Sequence, residues 1–242
     1  MKATTPAKPA AAAVRSPNRD KILDAAEIEF ATHSYEACSL RMIAESSGVN
    51  LGLLHYYFGS KQALFAAVFL RRSATLVGRR MALLDDAKRA AGGGPVLLED
   101  LIRCFITPTI EMIKQGEGPK AFIRLHSRLR TEPLDFARDL RRSAFNSVNF
   151  AFIKAFAETC PHLSRASIVW RFTAMVGAYL FLISQSGRVE DLSEGACDPS
   201  DVDSAIGQAI PFIAAGFMAP DVKKRTQRAA KKTTNGKTAL AG

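Results

Sequence analysis

An all-α fold is what this chain of 242 residues predicts. Three observations lead there. Apolar residues recur at the three-to-four-residue spacing of an amphipathic helix through most of the chain. Convincing strand-like alternation occurs nowhere, and no internal repeat is visible. Ser or Asn stands just ahead of several periodic segments, where a helix needs a side-chain acceptor for its first free N–H groups. Apolar residues make up 48% of the chain, enough for a packed core, so global disorder is excluded. The length suits one large helical domain or two small ones.

The elements follow in order. Residues 1–17 are expected to form a disordered arm, rich in Ala, Pro and Lys up to Arg15. Its Lys2, Lys8 and Arg15 can touch phosphates or remain solvated. Periodicity begins at Asn18 and runs to His33 through Ile22, Leu23, Ala26 and Phe30. Ser39 is the expected N-cap of a second helix, Leu40 to Ser46, whose inner face is Leu40, Ile43 and Ala44. Ser47, Gly48 and Val49 form a hinge. Asn50 caps a third helix ending at Phe58, with Leu54 and Phe58 inward and Val49 beside them. Two short helices hinged in this way are the sequence form of a helix-turn-helix, whose second helix enters the DNA major groove. Gly59 breaks the chain, and Ser60 can cap a long fourth helix through Leu64 and Val68 to about Leu84.

Ala90 to Pro95, the run AAGGGP, is a composition break and the expected joint between parts. Beyond it, Val96 to Gln115 reads as one helix bent at Pro108, which lacks a backbone donor. Pro119 to Arg130 and Leu134 to Glu158 follow, the latter dense in phenylalanine. Pro161 stops that helix, and Ser164 can cap another running to about Ser186. Gly187 to Ser200 reads as an acidic loop, and Asp201 to Met218 as the last helix. The total is about nine helices at the usual helix length. The uncharged run between Arg171 and Arg188 contains Ser184, Gln185 and Ser186 and is shorter than the ~20 apolar residues of a membrane span, so it reads as a buried helix.

Charge is unevenly placed. The formal net charge is +10, and seven basic residues against Asp221 put +6 of it after Pro220, leaving +4 for the rest. The basic tail at 220–242 either raises nonspecific DNA affinity through counterion release or is a disordered solubilising extension. Cys38, Cys104, Cys160 and Cys197 are scattered, with no C-x-x-C pair and no His at metal spacing, so reduced thiols in a cytoplasmic protein are expected. No apolar signal segment opens the chain. Neither a metal nor a cofactor is expected.

Phe30, Ser34 with Tyr35, Ser39 to Ala44, Gly48 with Val49, Leu54 to Phe58, Ser60 with Lys61, and Leu64 together resemble the DNA-binding head of TetR (tetracycline-repressor-like) transcriptional regulators. The likeness covers about fifty residues of the head, judged by periodicity and by punctuation at consistent offsets. It implies a dimeric, operator-binding regulator, usually a repressor, with residues 18–64 as the DNA-binding domain and 65–219 for ligand binding and dimerisation. The DNA-facing candidates are Ser39, Arg41, Asn50, Leu51, Gly52, Leu53, His55, Tyr56, Tyr57 and Lys61. Arg41 can fork onto guanine or phosphate, or stand solvated. Asn50 lies where helix N–H groups attract phosphate, and capping is its other role. Gly52 allows close approach. The resemblance turns His55 and Tyr56 to DNA, divides Tyr57 between packing and phosphate, and gives Lys61 a phosphate grip. Leu51 and Leu53 depart from the small, polar or basic residues common there and can read only apolar features such as a thymine methyl. His55 also stands where a tyrosine is common, so the operator sequence is left open.

By the same resemblance the segments at about 164–186 and 201–218 pair with a second copy. Small residues such as Gly177, Ala178, Ala205, Gly207, Ala209, Ala214 and Ala215 would permit close approach; lining the monomer core is the alternative. An effector pocket would draw on Phe105, Ile106, Phe122, Leu125, His126, Phe145, Phe152 and Phe172, although an aromatic stripe at helical spacing is more often plain core. The aromatic content suggests a small apolar or aromatic effector. Arg124 and Arg128, a turn apart beside His126, are surface residues unless one meets an acidic ligand. The partners expected are thus an operator duplex, a second copy and a small effector, without a membrane, in the cytoplasm and at the bacterial nucleoid when bound. An enzyme lacks support, since no nucleophile–base pairing, metal motif or phosphate loop is present. A nonspecific DNA-coating protein driven by the basic tail is the alternative.

Overall fold

The computed structural model describes residues 16–129, 135–183, 187–198 and 200–222. Among them are ten α-helices and no strand. Helix α1 spans Pro17–Thr32, α2 Leu40–Ser47, α3 Leu51–Phe58 and α4 Lys61–Ala90. Then come α5 Leu98–Ile110, a 3₁₀ helix Glu111–Gln115, α6 Glu117–Arg128, α7 Asp135–Thr159, α8 Arg165–Leu182, α9 Arg188–Ser193 and α10 Val202–Met218. Four caps read from sequence are in place: the side chains of Ser39, Asn50, Ser60 and Ser164 each accept the backbone N–H three residues on, and Asp201, expected as the first residue of the last helix, caps α10 in the same way. Each supplies about 1 kcal/mol and sets where its helix begins.

Several expectations need correction. Helix α1 starts inside the expected arm, because Pro17 at its first position has φ preset for a helix and no N–H to leave unsatisfied. The fifth segment is shorter than expected and tightens after Ile110 into the 3₁₀ turn, two residues past Pro108. A tenth helix, α9, occupies the expected acidic loop between left-handed residues Gly187 and Glu194. Helix α8 is not buried all round: Val169, Trp170 and Phe181 stand exposed. The arm up to Arg15, Arg130, Leu134, Ser184 to Ser186 and the basic residues from Lys223 lie outside the described residues. No helix among the described residues is long and apolar enough to cross a membrane.

The expected boundary at residue 64 falls within one continuous helix of 30 residues. Leu64 and Phe65 are both buried, and one apolar core runs from Ile22 to Phe217. The AAGGGP break is instead a turn that folds α5 back against α4, with Gly92 and Gly93 at positive φ. Head and body are locked at a second place. Glu27 of α1 is fully buried and faces two arginines of α4. Arg72 Nε donates to Oε1 at 2.8 Å and Nη2 to Oε2 at 2.7 Å, while Arg71 Nη2 reaches Oε2 at 3.1 Å. Gly118 of α6 closes over this cluster; a Cβ there would stand 2.7 Å from Arg72 Nη2. An aromatic group of Phe30, Tyr35 and Phe65 from the head meets Phe136 of α7, the Tyr35–Phe136 centroids being 5.0 Å apart.

Helices α8 and α10 cap each other. Arg171 of α8 donates to the carbonyls of Gly216, Phe217, Ala219 and Pro220, satisfying the free end of α10. Asp221, just past α10, accepts from the Ser167 hydroxyl and from the Ser164 N–H at the start of α8. The Ser167 hydroxyl and then the Ser164 N–H hold its carboxyl down at about 2. The chain therefore remains docked as far as Asp221, beyond the point at which the tail was expected to begin.

Candidate nucleic-acid interface and ligand cavity

The geometry of α3 is set by its two ends. Gly48, at φ 68°, turns the chain out of α2, and its N–H bonds back to Ala44 and Glu45. Only a residue tolerant of the left-handed region makes that turn cheaply. Asn50 Oδ1 then accepts from Leu53 N at 2.7 Å. Leu54 is fully buried. At 3.6 residues per turn, Gly52 and Tyr56 lie opposite Leu54 and point to solvent, with Leu51 and His55 alongside. Tyr56 is 77% exposed, its ring edge-to-face with that of Tyr57 at a centroid distance of 5.3 Å.

The ten expected DNA-facing residues divide in two. Ser39, Arg41, Asn50, Leu51, Gly52, His55 and Tyr56 are exposed on α2 and α3. Arg41 pairs with Glu45 at 3.1 Å, a solvent-exposed contact weak enough to exchange. Leu53, Tyr57 and Lys61 are half-buried. The Tyr57 hydroxyl lies 2.8 Å from Ser16 Oγ, tying α3 to the start of α1. Lys61 Nζ donates to the Glu36 carbonyl at 3.3 Å and sits over the Tyr35 ring. In this structure both therefore brace the head. Arg19, which sequence reasoning passed over, stacks its guanidinium 5.5 Å from the Phe58 ring centroid.

A cavity of about 190 Å³ lies between α4, α5, α6, α7 and α8. Phe105, His126, Phe145 and Phe172 line it as expected. Phe122 and Phe152 do not line it: each is fully buried, Phe122 against Phe69 and His126, and Phe152 against Phe105. The His126 ring lies between those of Phe122 and Phe145, at 5.7 and 4.9 Å. Arg80, Arg141, Asn149, Thr173, Val176 and Tyr179 complete the wall and were missed. Arg80 had a signal in the sequence, since it falls four residues from both Leu76 and Leu84 on the buried stripe of α4. The arginines weighed from sequence point elsewhere: Arg124 lies 4.0 Å from Glu117, and Arg128 Nη1 donates to the His33 carbonyl at 2.8 Å. Burial lowers the Arg141 guanidinium pKa from its usual value. Burial also pushes the Cys38 thiol up to about 11, with Glu29 adding to the rise, so Cys38 is an inert core residue.

On the opposite side of α8, an apolar face lies open. Trp170, Phe181 and Phe212 are 76%, 59% and 73% exposed. Phe212 lines two shallow apolar grooves of about 360 and 420 Å³, the second shared with Phe181, floored in part by Ala174, Ala178 and Gly216. Ala209 and Ala214 are buried within the monomer, Ala209 at the floor of the second groove.

Residues 22–68 match the family model described as bacterial regulatory proteins, tetR family, and residues 103–216 match the tetracyclin repressor-like C-terminal domain. The chain belongs to the TetR family. TetR-family regulators are DNA-binding transcription factors, not enzymes. Among curated TetR-type relatives, the HTH-type transcriptional repressor KstR2 of Mycolicibacterium smegmatis is 33% identical over 87 residues, 36% of this chain and 40% of the relative. The HTH-type transcriptional repressor AcnR of Corynebacterium efficiens is 37% identical over 51 residues, 21% of this chain and 27% of the relative. The chain thus spans less than half the length of either. Solved structures extend the TetR likeness to the whole fold. The fatty acid degradation regulator FadR from Bacillus halodurans superposes with a TM-score of 0.63 at 14% identity, covering 84% of this chain and 98% of that one. Salmonella enterica GusR does so with 0.58 at 16% identity, covering 86% and 99%.

Proposed function

We propose that this protein is a transcriptional repressor that binds a palindromic operator as a homodimer and is released when a small molecule fills the cavity between α4 and α8. The observation that carries the reading is the outward face of α3, with Gly52 and Tyr56 directly opposite the anchored Leu54. Gly52 lets the helix backbone approach the duplex, and Tyr56 supplies a ring edge and a hydroxyl to bases or phosphates. Arg41 exchanges Glu45 for a phosphate or a guanine. Asn50, its oxygen committed to the cap, offers its amide N–H. The repressor names of the curated relatives support the direction of regulation. The division of labour is DNA reading by residues 18–64 and sensing and pairing by the rest, acting at the nucleoid in the cytoplasm. The exposed face of α8 and α10 is the surface for a second copy, because Phe212 and Phe181 offer knobs beside grooves floored by small residues.

Release follows from linkage. An effector weakens DNA binding only by preferring the conformation that DNA does not, and DNA opposes the effector by the same free energy. Helix α4 joins the two sites: it begins against the head and carries Arg80 into the cavity wall, ~30 Å further along. Filling the cavity shifts α5 and, through α4, the separation of the two heads.

Selection of bound duplexes from a random pool tests the function. The expected product is one short palindrome with half-sites spaced for two recognition helices. Uniform, salt-labile binding to any duplex would favour the DNA-coating alternative. Tyr56→Ala should weaken specific operator binding by about tenfold or more, the scale of one or two lost contacts in each half-site. Its melting temperature should hold, since the side chain is solvent-exposed. Unchanged affinity in a folded Tyr56→Ala dimer would place the reading face elsewhere.

A further inference from the structure

Two charged side chains of the core face opposite situations. Buried Glu27 has two arginines. Arg80, 1% exposed, has no carboxylate partner among the described residues. Its Nε donates to the Phe105 carbonyl at 2.7 Å, and its Nη2 donates to Thr109 Oγ1 at 2.7 Å and to the Tyr179 hydroxyl at 2.8 Å. The guanidinium carbon lies 3.8 Å from the Phe105 ring centroid. These three bonds use Nε and both hydrogens of Nη2. The two N–H groups of Nη1 remain, on a side chain that lines the cavity. Tyr179 accepts from Arg80, so its own hydroxyl hydrogen is also available to an occupant. A buried cation held only by neutral groups is costly, and a bound anion would offset that cost.

We infer that the effector is a small carboxylic acid, its carboxylate seated on Arg80 Nη1 and the Tyr179 hydroxyl and its apolar body against Phe105, Phe145 and Phe172. The inference rests on the proposal that this cavity is the effector site. It adds an acid group to the small apolar or aromatic effector suggested by the aromatic content. A planar guanidinium suits a carboxylate, and the hydroxyl provides the second donor. Arg141, half-buried on the same wall, adds positive potential. The cavity is smaller than the ~300–1,000 Å³ of common ligand clefts, which selects a single ring or a short chain over a long acyl tail.

Calorimetric titration of the full chain with benzoate and hexanoate, and with the uncharged benzamide and hexanamide, is the test. At least one acid should bind about tenfold or more tighter than its amide, the scale of one charge-assisted contact. Arg80→Gln, which keeps polar contacts but no charge, should abolish that preference. Equal binding of acid and amide would overturn the acid assignment and leave the cavity as the effector site. Binding of neither at millimolar concentration would overturn both. An acid preference that survives in folded Arg80→Gln would overturn the role of Arg80. Should that variant fail to fold, the comparison of acid with amide on the unaltered protein still decides.

Discussion

Glu27→Ala is expected to lower the melting temperature by about 10 °C, a large effect for a single side chain. The carboxylate is fully buried and accepts hydrogen bonds from Arg71 and Arg72. Removing one partner of a buried ion pair strands the other, which typically costs about 3–5 kcal/mol. Arg71 and Arg72 are 27% and 29% exposed and can turn toward water, so the lower end of that range applies. For a chain of this size, about 3 kcal/mol corresponds to roughly 6–12 °C. Glu27→Gln keeps the shape and should lose less. Gly118→Ala should destabilise from the other side, because its new methyl would meet Arg72 Nη2 and Glu27 Oε2 at 2.7 and 2.9 Å. Thermal denaturation followed by circular dichroism measures all three. A Glu27→Ala protein melting within a degree or two of the parent would mean that the apolar core and the Arg71–Asp24 pair hold α1 to α4 and α6 without it.

Phe212→Asp should produce a monomer and reduce operator affinity by about a hundredfold or more. The ring is 73% exposed beside apolar grooves, so its loss leaves the monomer core intact. A carboxylate in its place would be buried without a partner on pairing, and a two-fold face meets each substitution twice. A dimer binds its second half-site intramolecularly, an advantage of about 10²–10⁴ that a monomer forfeits. Sedimentation velocity and operator titration on the same sample check both parts. A Phe212→Asp protein that still sediments as a dimer would move the interface away from α8 and α10.

The head was legible because its signals are local. Ser39, Asn50 and Ser60 cap the helices they precede, and Gly48 takes the left-handed turn between α2 and α3. Leu54 was placed inward by periodicity alone and is fully buried. The candidate site was legible only in part. The resemblance divides Tyr57 between packing and phosphate and gives Lys61 a phosphate grip; what it does not supply is that their polar atoms meet Ser16 and Glu36, partners 41 and 25 residues distant along the chain. Phe122 and Phe152 shared the aromatic character of the true cavity wall and differ only in which neighbours surround them.

The amino-acid sequence alone determined where α2, α3, α4 and α8 begin, which face of α3 is turned outward and which family the chain resembles. Those properties depend on a residue's nearest neighbours along the helix, through side-chain acceptors, glycine dihedrals and the 3.6-residue period. The tertiary structure alone decided that Glu27 has counter-ions inside the core and that Arg80 has none among the described residues. Periodicity places a charged residue on an inner face, but whether a partner waits there depends on which other helices pack against it, and each of these partnerships joins residues far apart in the chain.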